Sequence, residues 1–153
     1  MQSCVIATHF PSGDDSFRVI DYKLSKPSGA KNNDFSKGDH LQLPIYLLGS
    51  STILDRPVCS GIAEYREVGI DGSRSVFFEG SKLEEKREEL DTIIDTIISS
   101  IENGLFFYYP AGRACRYCDY KPSCPASRDR MFRNKVRFDK RLGRYRTMKQ
   151  LED

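Results

Sequence analysis

The segment that most constrains the fold is the run Phe17–Lys23, with the sequence FRVIDYK. Its β-branched and aromatic residues predict a strand, and a similar run at residues 4–10 precedes it across the turn-forming residues 11–15. Two such strands predict an antiparallel hairpin. Asp21 and Lys23 are two residues apart, so on a strand they lie on the same face. A carboxylate and an ammonium group so placed can hold a divalent cation against a phosphate, or they form an ordinary surface pair.

A loop and a helix are predicted next. Residues 26–37 are rich in Pro, Gly, Ser, Asn and Lys, which predicts a loop that could move over a substrate. Asp39 is expected to open a helix, with Gln42 as its capping-box partner. Gln42 and Tyr46 are four residues apart and therefore share a helical face. This polar pair either satisfies a buried tyrosine hydroxyl or faces an active site.

A second hairpin is predicted from two further strand-like runs. Residues 59–68 and 75–79 are joined by the turn signal at residues 70–73. Cys59 falls inside the first of these strands and is expected to be a small core residue. With the flanking helices, the two hairpins predict an α/β fold with a mixed central β-sheet.

A long amphipathic helix is expected after the second hairpin. Ser81 is its predicted cap, with Glu84 in the capping-box position, and Gly104 ends it as a left-handed cap. Large apolar residues recur at intervals of three and four, which predicts one stripe in contact with a sheet. These residues are Leu90, Ile93, Ile94, Ile97, Ile98 and Ile101.

Three closely spaced cysteines form the most specific motif. Cys115 and Cys118 are separated by two residues, and Cys124 follows after five more. Such thiolates can ligate one metal or cluster if a fourth ligand comes from elsewhere; the alternative is buried, unligated thiols. The chain has an odd number of cysteines, 5, and no visible secretory signal, so we expect an intracellular protein. No apolar stretch reaches the 18 or so residues of a membrane span.

Basic residues are concentrated at the end of the chain. Residues 128–149 contain ten Lys or Arg against two Asp, whereas the whole chain has a net charge of only +2. Such a block is a solvated tail or, with its interleaved aromatic residues, a segment that contacts nucleic-acid phosphates. The candidate contacts are Arg128, Arg130, Arg133, Lys135, Arg137, Lys140 and Arg141.

The order of these motifs resembles a known family. An Asp-x-Lys strand, a Gln-x3-Tyr helix, a long helix and a Cys-x2-Cys-x5-Cys segment follow one another in the RecB-like branch of the PD-(D/E)XK nucleases. The resemblance is to the members that hold an iron-sulfur cluster, such as AddB nuclease domains and some CRISPR-associated exonucleases. It runs from about residue 18 to residue 124. The matching positions are residues 19–23, Gln42, Tyr46, Gly104, Phe106, Pro110, Cys115, Cys118 and Cys124.

The resemblance implies a restriction-endonuclease-like core and a metal-dependent exonuclease acting on DNA in repair, recombination or defence. Asp21 would bind Mg²⁺ or Mn²⁺, and Lys23 would orient the attacking water or stabilise charge on the phosphate. Gln42 and Tyr46 would support that site from the helix. A [4Fe-4S] cluster would be held by Cys115, Cys118 and Cys124 with Cys4 as the fourth candidate, and zinc is the alternative metal.

One position departs from the family pattern. A further metal-binding acid is expected on the strand before Asp-x-Lys, near Thr8 or His9, and neither residue is a carboxylate; Asp14 and Asp15 fall in the turn. The chain would then be the C-terminal part of a larger nuclease, or a helicase or other subunit would supply the rest of the site. The alternatives are an inactive DNA-binding or scaffolding domain and a zinc-binding interaction module. The predicted boundaries are a nuclease-like domain at residues 1–127 and a basic tail at residues 128–153.

Overall fold

The computed structural model describes residues 5–9, 16–24, 30–68, 75–106, 114–116 and 118–149. The chain forms two compact units, Met1–Asp91 and Thr92–Asp153. The strands and α-helices, in chain order, are β1 Val5–His9, β2 Phe17–Lys23, α1 Gln42–Leu54, β3 Gly61–Glu67, β4 Val76–Glu79, α2 Gly80–Glu85, α3 Arg87–Glu102, α4 Arg128–Phe138 and α5 Gly143–Lys149. Short 3₁₀ helices lie at Ser36–Gly38, Val58–Ser60, Ala114–Arg116, Lys121–Ser123 and Lys140–Leu142.

The strands form one mixed sheet in the order β1-β2-β3-β4. The β1/β2 and β3/β4 pairs are antiparallel hairpins, whereas β2 and β3 run parallel. Parallel neighbours need a long crossover, and α1 lies in that connection. The predicted α/β fold, its mixed sheet and both hairpins are therefore confirmed. Asp21 pairs with Val5 of β1 on one side and with Tyr65 of β3 on the other.

One face of the sheet carries the core of the first unit. Alternate residues of β2, β3 and β4 point to this face, and α1 packs against the three strands. Phe35 adds to the core, because its ring stacks on that of Phe78 with the centroids 5.1 Å apart. The buried apolar residues of this layer include Phe17, Val19, Ala63, Val76, Phe78, Leu43 and Leu47. Their burial fixes which side of β2 faces α1, and with it the side of Asp21.

The described part of the predicted mobile loop is anchored to β4. The Asn33 amide N–H donates to the Phe77 carbonyl at 3.0 Å, and the Asn33 side-chain oxygen accepts from the Glu79 N–H at 2.7 Å. Phe35 is fully buried two residues later. Residues 25–29 of this loop lie outside the described residues. Any movement over a substrate would therefore not involve the segment around Asn33.

The first helix begins differently from its prediction. α1 starts at Gln42 with Leu41 at the N-cap position, and no side chain caps it. Asp39 instead ends the 3₁₀ helix Ser36–Gly38, where its own N–H donates to the Ser36 carbonyl at 3.2 Å. An N-cap needs a non-helical backbone, and Asp39 has helical angles (φ −86°, ψ −20°). The prediction that Asp39 caps α1 is therefore wrong. Pro44 lies in the first turn of the helix, where a residue without a backbone N–H is tolerated.

The predicted long helix is two helices. α2 and α3 are separated at Lys86, whose backbone leaves the helical region (φ −104°, ψ 19°). Ser81 and Glu84 lie inside α2, which follows β4 without a loop and has Glu79 at its N-cap position, so the predicted capping box is wrong. The end of α3 is confirmed, because Gly104 adopts the left-handed conformation with φ +62°.

The apolar stripe of α3 is only half covered. Leu90 and Ile93 are buried, whereas Ile97, Ile98 and Ile101 are 36–56% exposed. A period of three and four defines a helical face but not the surface that covers it. The prediction that the whole stripe contacts a sheet is therefore wrong for its second half.

Two further segments differ from their expected state. Cys59 is exposed in the 3₁₀ helix Val58–Ser60, ahead of β3, so its predicted place in a strand interior is wrong. The segment after residue 127 contains α4 and α5, with Val136 and Leu142 buried.

Among the described helices, none has the length and apolar character required to cross a bilayer.

Candidate active site

Asp21 is a buried carboxylate in the middle of the sheet. Its side chain is fully buried, and neither carboxylate oxygen receives a hydrogen bond within the described part of the chain. The Lys23 ammonium lies 2.9 Å from Oδ2 as an ion pair, at an angle that does not make a hydrogen bond. Buried carboxylates normally accept several hydrogen bonds, because removing their charge from water is costly. The two oxygens are therefore placed to bind positive charge.

Lys23 connects Asp21 to helix α1. Its Nζ donates to the Gln42 side-chain oxygen at 3.3 Å and lies 5.1 Å from the centre of the Tyr65 ring. About a fifth of its side chain is exposed, so the ammonium group lies at the edge of the site rather than inside the core. A cation in this position can contact both the Asp21 carboxylate and a phosphate from solvent.

Gln42 connects the polar side chains of this site. Its oxygen accepts from Lys23 and also from the Tyr65 hydroxyl, the latter at 3.1 Å, and its nitrogen donates to the Tyr46 hydroxyl at 2.6 Å. Two donors on one oxygen fix the orientation of the amide. The structure thus brings Asp21, Lys23, Gln42 and Tyr46 together, as the sequence suggested. Gln42 also satisfies the Tyr46 hydroxyl, as the first interpretation of the pair expects, whereas a role of the pair in an active site stays a prediction.

Tyr65 is a member of this cluster that the sequence did not single out. It lies opposite Asp21 in the parallel β2/β3 pairing and is almost fully buried. Burial and, to a smaller extent, the nearby Asp21 and Tyr46 together raise the pKa of Tyr65 to about 12. The hydroxyl therefore stays protonated and donates to Gln42 at neutral pH. The local sequence around Tyr65 gives no sign of this role. Its place beside Asp21 follows from the register between β2 and β3.

The donor set fits a hard divalent cation through Asp21. Mg²⁺ binds through one or two carboxylates, several waters and substrate phosphates, and the unsatisfied Asp21 oxygens match that requirement. No group of three or more His, Cys, Asp or Glu side chains within the described ranges is placed to share a metal. β1 has the sequence VIATH, and its register places Val5 opposite Asp21, with Thr8 and His9 opposite Arg18 and Phe17.

The cysteines are not gathered into a ligand set where the chain is described. Cys115 and Cys124 are partly exposed and Cys118 is exposed, all as free thiols. Within the described ranges these three thiols do not come together with one another or with His, Asp or Glu side chains as a group of three or more that could hold a metal. Cys4 lies outside the described residues, as do Asp14 and Asp15. In this arrangement the residues do not fit an iron-sulfur cluster or a structural zinc ion.

The basic residues of the C-terminal segment lie on ordered helices. α4 carries five of the seven candidates against one acid, Asp129. Arg130, Arg133 and Arg137 are exposed and share one helical face, since they are spaced by three and four residues. Arg141 is paired: it donates from Nε and Nη2 to Asp139 at 2.9 and 2.7 Å, and these bonds lower the pKa of Asp139 to about 2.

The chain matches a known protein family. The family model of the PD-(D/E)XK nuclease superfamily matches residues 9–125. No curated protein matches the chain significantly, and no solved structure does. The matched range contains β2 to α3, Asp21, Lys23, Gln42, Tyr46 and the three cysteines. Since it covers well over half of the 153 residues, the chain belongs to the PD-(D/E)XK nuclease superfamily.

Proposed function

We propose that this chain is a Mg²⁺- or Mn²⁺-dependent DNA nuclease domain of the RecB/AddB type that hydrolyses phosphodiester bonds from DNA ends. Its setting would be repair, recombination or defence inside the cell. The observation that carries the proposal is the buried Asp21 carboxylate, without hydrogen bonds, beside a lysine held by Gln42. Membership of the superfamily supports nuclease chemistry. The order of the sequence motifs is what favours the RecB/AddB type.

Asp21 is the residue that would hold the metal. A bound Mg²⁺ or Mn²⁺ supplies positive charge at the scissile phosphate and acidifies a water molecule. Lys23 holds its ammonium group at the rim of the site, where it can bind a phosphate oxygen and stabilise the negative charge that develops. Gln42 and Tyr65 hold Lys23 in that position through the shared amide oxygen, and Tyr46 fixes the amide. These three act as positioning residues.

The first test is the metal dependence of DNA degradation. The purified protein should shorten linear duplex DNA with Mn²⁺ or Mg²⁺ and should stop when EDTA is added. Lys23→Gln should lower the rate at least about 100-fold, because it removes a preorganised positive charge from the site. The length distribution of end-labelled DNA on a gel measures the rate.

Lys82→Gln is the matched control for this test. Lys82 is a lysine of α2 whose side chain is 43% exposed and pairs at 2.8 Å with Glu85 of the same helix. Its loss should leave the rate within about twofold, since exposed ion pairs contribute little. Equal degradation by the Lys23 and Lys82 variants, or degradation that survives EDTA, would remove the nuclease proposal.

A DNA-binding domain without hydrolysis is the second candidate. The observation that favours it is the absence of a carboxylate in β1, the strand next to Asp21. In that case the protein would retard linear DNA in a gel with Mn²⁺ and leave its length unchanged. A helicase or other subunit that restores degradation when added would instead show that the site is completed by a partner.

The basic face of α4 is the proposed contact with the DNA backbone. We expect the triple change of Arg130, Arg133 and Arg137 to Gln to weaken DNA binding and to lower the slope of log K against log salt by about 3. Arg141→Gln should change the affinity and the salt slope less, because the Arg141 side chain already donates hydrogen bonds to Asp139. Fluorescence anisotropy with labelled DNA at several salt concentrations measures both. An unchanged salt slope in the triple variant would exclude this face.

The iron-sulfur cluster is a prediction from the sequence alone. It rests on the spacing of Cys115, Cys118 and Cys124, and the arrangement of these residues in the structure does not support it. If it is correct, anaerobically purified protein absorbs at about 400 nm, and Cys118→Ser removes the band. The exposed Cys59→Ser is the control and should leave it unchanged. A colourless protein with stoichiometric zinc would replace the cluster by the zinc alternative.

A further inference from the structure

The Asp21 carboxylate has an ion pair with Lys23 but, within the described residues, no hydrogen bond to either oxygen, so its negative charge is incompletely compensated. Both oxygens are buried without hydrogen bonds, and the Lys23 ammonium lies 2.9 Å from Oδ2. A hard divalent cation would satisfy both oxygens, but it binds more tightly when a second carboxylate shares its charge. The position of such a second carboxylate can be read from the sheet register.

Glu67 occupies the matching position on the neighbouring strand. It is paired with Lys23 in the parallel β2/β3 ladder, and the Val68 N–H donates to the Lys23 carbonyl at 2.9 Å, so the pairing continues to the end of β3. Paired residues on adjacent strands point to the same face. Glu67 therefore shares the face of Asp21, Lys23 and Tyr65.

The spacing of the two strand positions allows Asp21 and Glu67 to share one cation. Glu67 follows Tyr65, the direct partner of Asp21, by two residues, which makes it a diagonal neighbour of Asp21. Diagonal neighbours have Cα atoms about 7–8 Å apart, within the combined reach of Asp and Glu side chains. Glu67 is half-buried at the strand end, where a hydrated ion and a phosphate can enter.

The other carboxylates near this part of the sheet are held elsewhere. Glu64 points to the opposite face, where it pairs with Arg18 at 2.8 Å and with Arg66. Asp34 accepts hydrogen bonds from the backbone N–H and hydroxyl of Ser36, which hold its pKa below the usual value. Within the described ranges, Glu67 is the acidic residue that the β2/β3 pairing places on the Asp21 face.

We infer that Glu67 supplies the second carboxylate of a divalent-cation site whose first ligand is Asp21. The inference rests on the proposed metal-dependent function and assigns its second ligand. The preferred ions are Mg²⁺ and Mn²⁺, because two carboxylates, water and a substrate phosphate form an all-oxygen site. The acid thus comes from β3, across the parallel pair, instead of from β1.

Mn²⁺ binding without DNA tests this assignment independently of turnover. The electron paramagnetic resonance signal of free Mn²⁺ gives the dissociation constant for the full chain and its variants. Glu67→Gln should weaken Mn²⁺ binding at least about tenfold, since it removes one charged ligand, and Glu67→Asp should give a smaller loss. Asp21→Asn should abolish specific binding.

Glu79→Gln is the matched control for Glu67→Gln. Glu79 is also half-buried at the end of a strand, but its partner Ile62 places it on the opposite face. Its replacement should leave the Mn²⁺ affinity within about twofold of the parent protein. Circular dichroism checks that each variant is folded, and if Glu67→Gln fails to fold, Glu67→Asp carries the test.

The outcomes separate this inference from the proposed function. If Glu67→Gln binds Mn²⁺ as tightly as the parent protein while Asp21→Asn does not, Glu67 is not a ligand and the nuclease proposal still stands. If the parent protein binds no Mn²⁺, the two-carboxylate site is overturned outright. A loss of affinity confined to the Glu67 and Asp21 variants establishes the site, even if the isolated chain does not degrade DNA.

Discussion

Asp21→Asn should abolish metal-dependent DNA degradation while leaving the protein at least as stable as the parent. We expect a loss of at least about 1,000-fold in rate, because the amide cannot hold the metal that supplies charge at the phosphate. The fold should survive, since the parent carboxylate is fully buried and accepts no hydrogen bonds. Replacing such a charge by a neutral group of the same shape removes a desolvation cost. Gel assays with Mn²⁺ and urea unfolding measure the two effects.

Asp55→Asn provides the comparison for this prediction. Asp55 is an exposed residue at the end of α1 with a left-handed backbone (φ 51°), a conformation that Asn adopts readily. Its replacement should leave the rate of DNA degradation unchanged. The free energy of unfolding should change by no more than about 0.5 kcal/mol. An Asp21→Asn protein that degrades DNA at the parent rate would show that Asp21 does not hold the metal. One that unfolds at much lower urea would show that its charge stabilises the sheet.

The sequence predicts this site well where the site depends on local structure. Asp21 and Lys23 share a face because side chains alternate along a strand, and Gln42 and Tyr46 share one because a helix turns every 3.6 residues. These rules need no knowledge of the rest of the chain. The Asp21/Lys23 pair contacts the Gln42/Tyr46 pair only because α1 packs on the sheet. The order of elements in a parallel crossover favours that packing.

The residues that the sequence does not reveal are those placed by long-range register. Tyr65 and Glu67 lie on β3, whose pairing with β2 is set across the whole crossover that contains α1. A shift of one residue would turn both side chains to the other face. The connection between β2 and β3 contains the whole of α1, so no short turn fixes this register. Their place beside Asp21 and Lys23 therefore follows only from the folded sheet.

Helix ends are harder to predict from the sequence than helices are, because several groups compete for each terminus. Asp39 and Ser81 have side chains suited to an N-cap, but a preceding 3₁₀ helix uses the backbone of Asp39, and β4 continues directly into α2 at Gly80. Capping propensity contributes about 1 kcal/mol, which tertiary packing readily overrides. Gly104 was predicted correctly because a left-handed backbone excludes most other residues.

Gly80→Ala should strongly destabilise the first unit. A Cβ atom at residue 80 would lie 1.7 Å from the Val58 carbonyl oxygen, which belongs to the backbone and cannot rotate away. Relief requires moving β4 and α2 away from the segment that leads into β3 at Gly61. We expect a loss of at least about 3 kcal/mol in the free energy of unfolding, as for other strongly overpacked sites. Urea unfolding followed by circular dichroism measures it.

Gly49→Ala is the control, and it should change stability in the opposite direction. Gly49 is exposed in the interior of α1, and nothing lies within 4 Å of a Cβ atom built there. Alanine restricts the unfolded chain more than glycine does, so the free energy of unfolding should rise by about 0.5–1 kcal/mol. If both variants were equally stable, the close contact between Gly80 and Val58 would not exist in solution. Val58 lies in the 3₁₀ helix directly before β3, so the destabilisation would show how tightly β4 and α2 pack against the start of the strand that carries Tyr65.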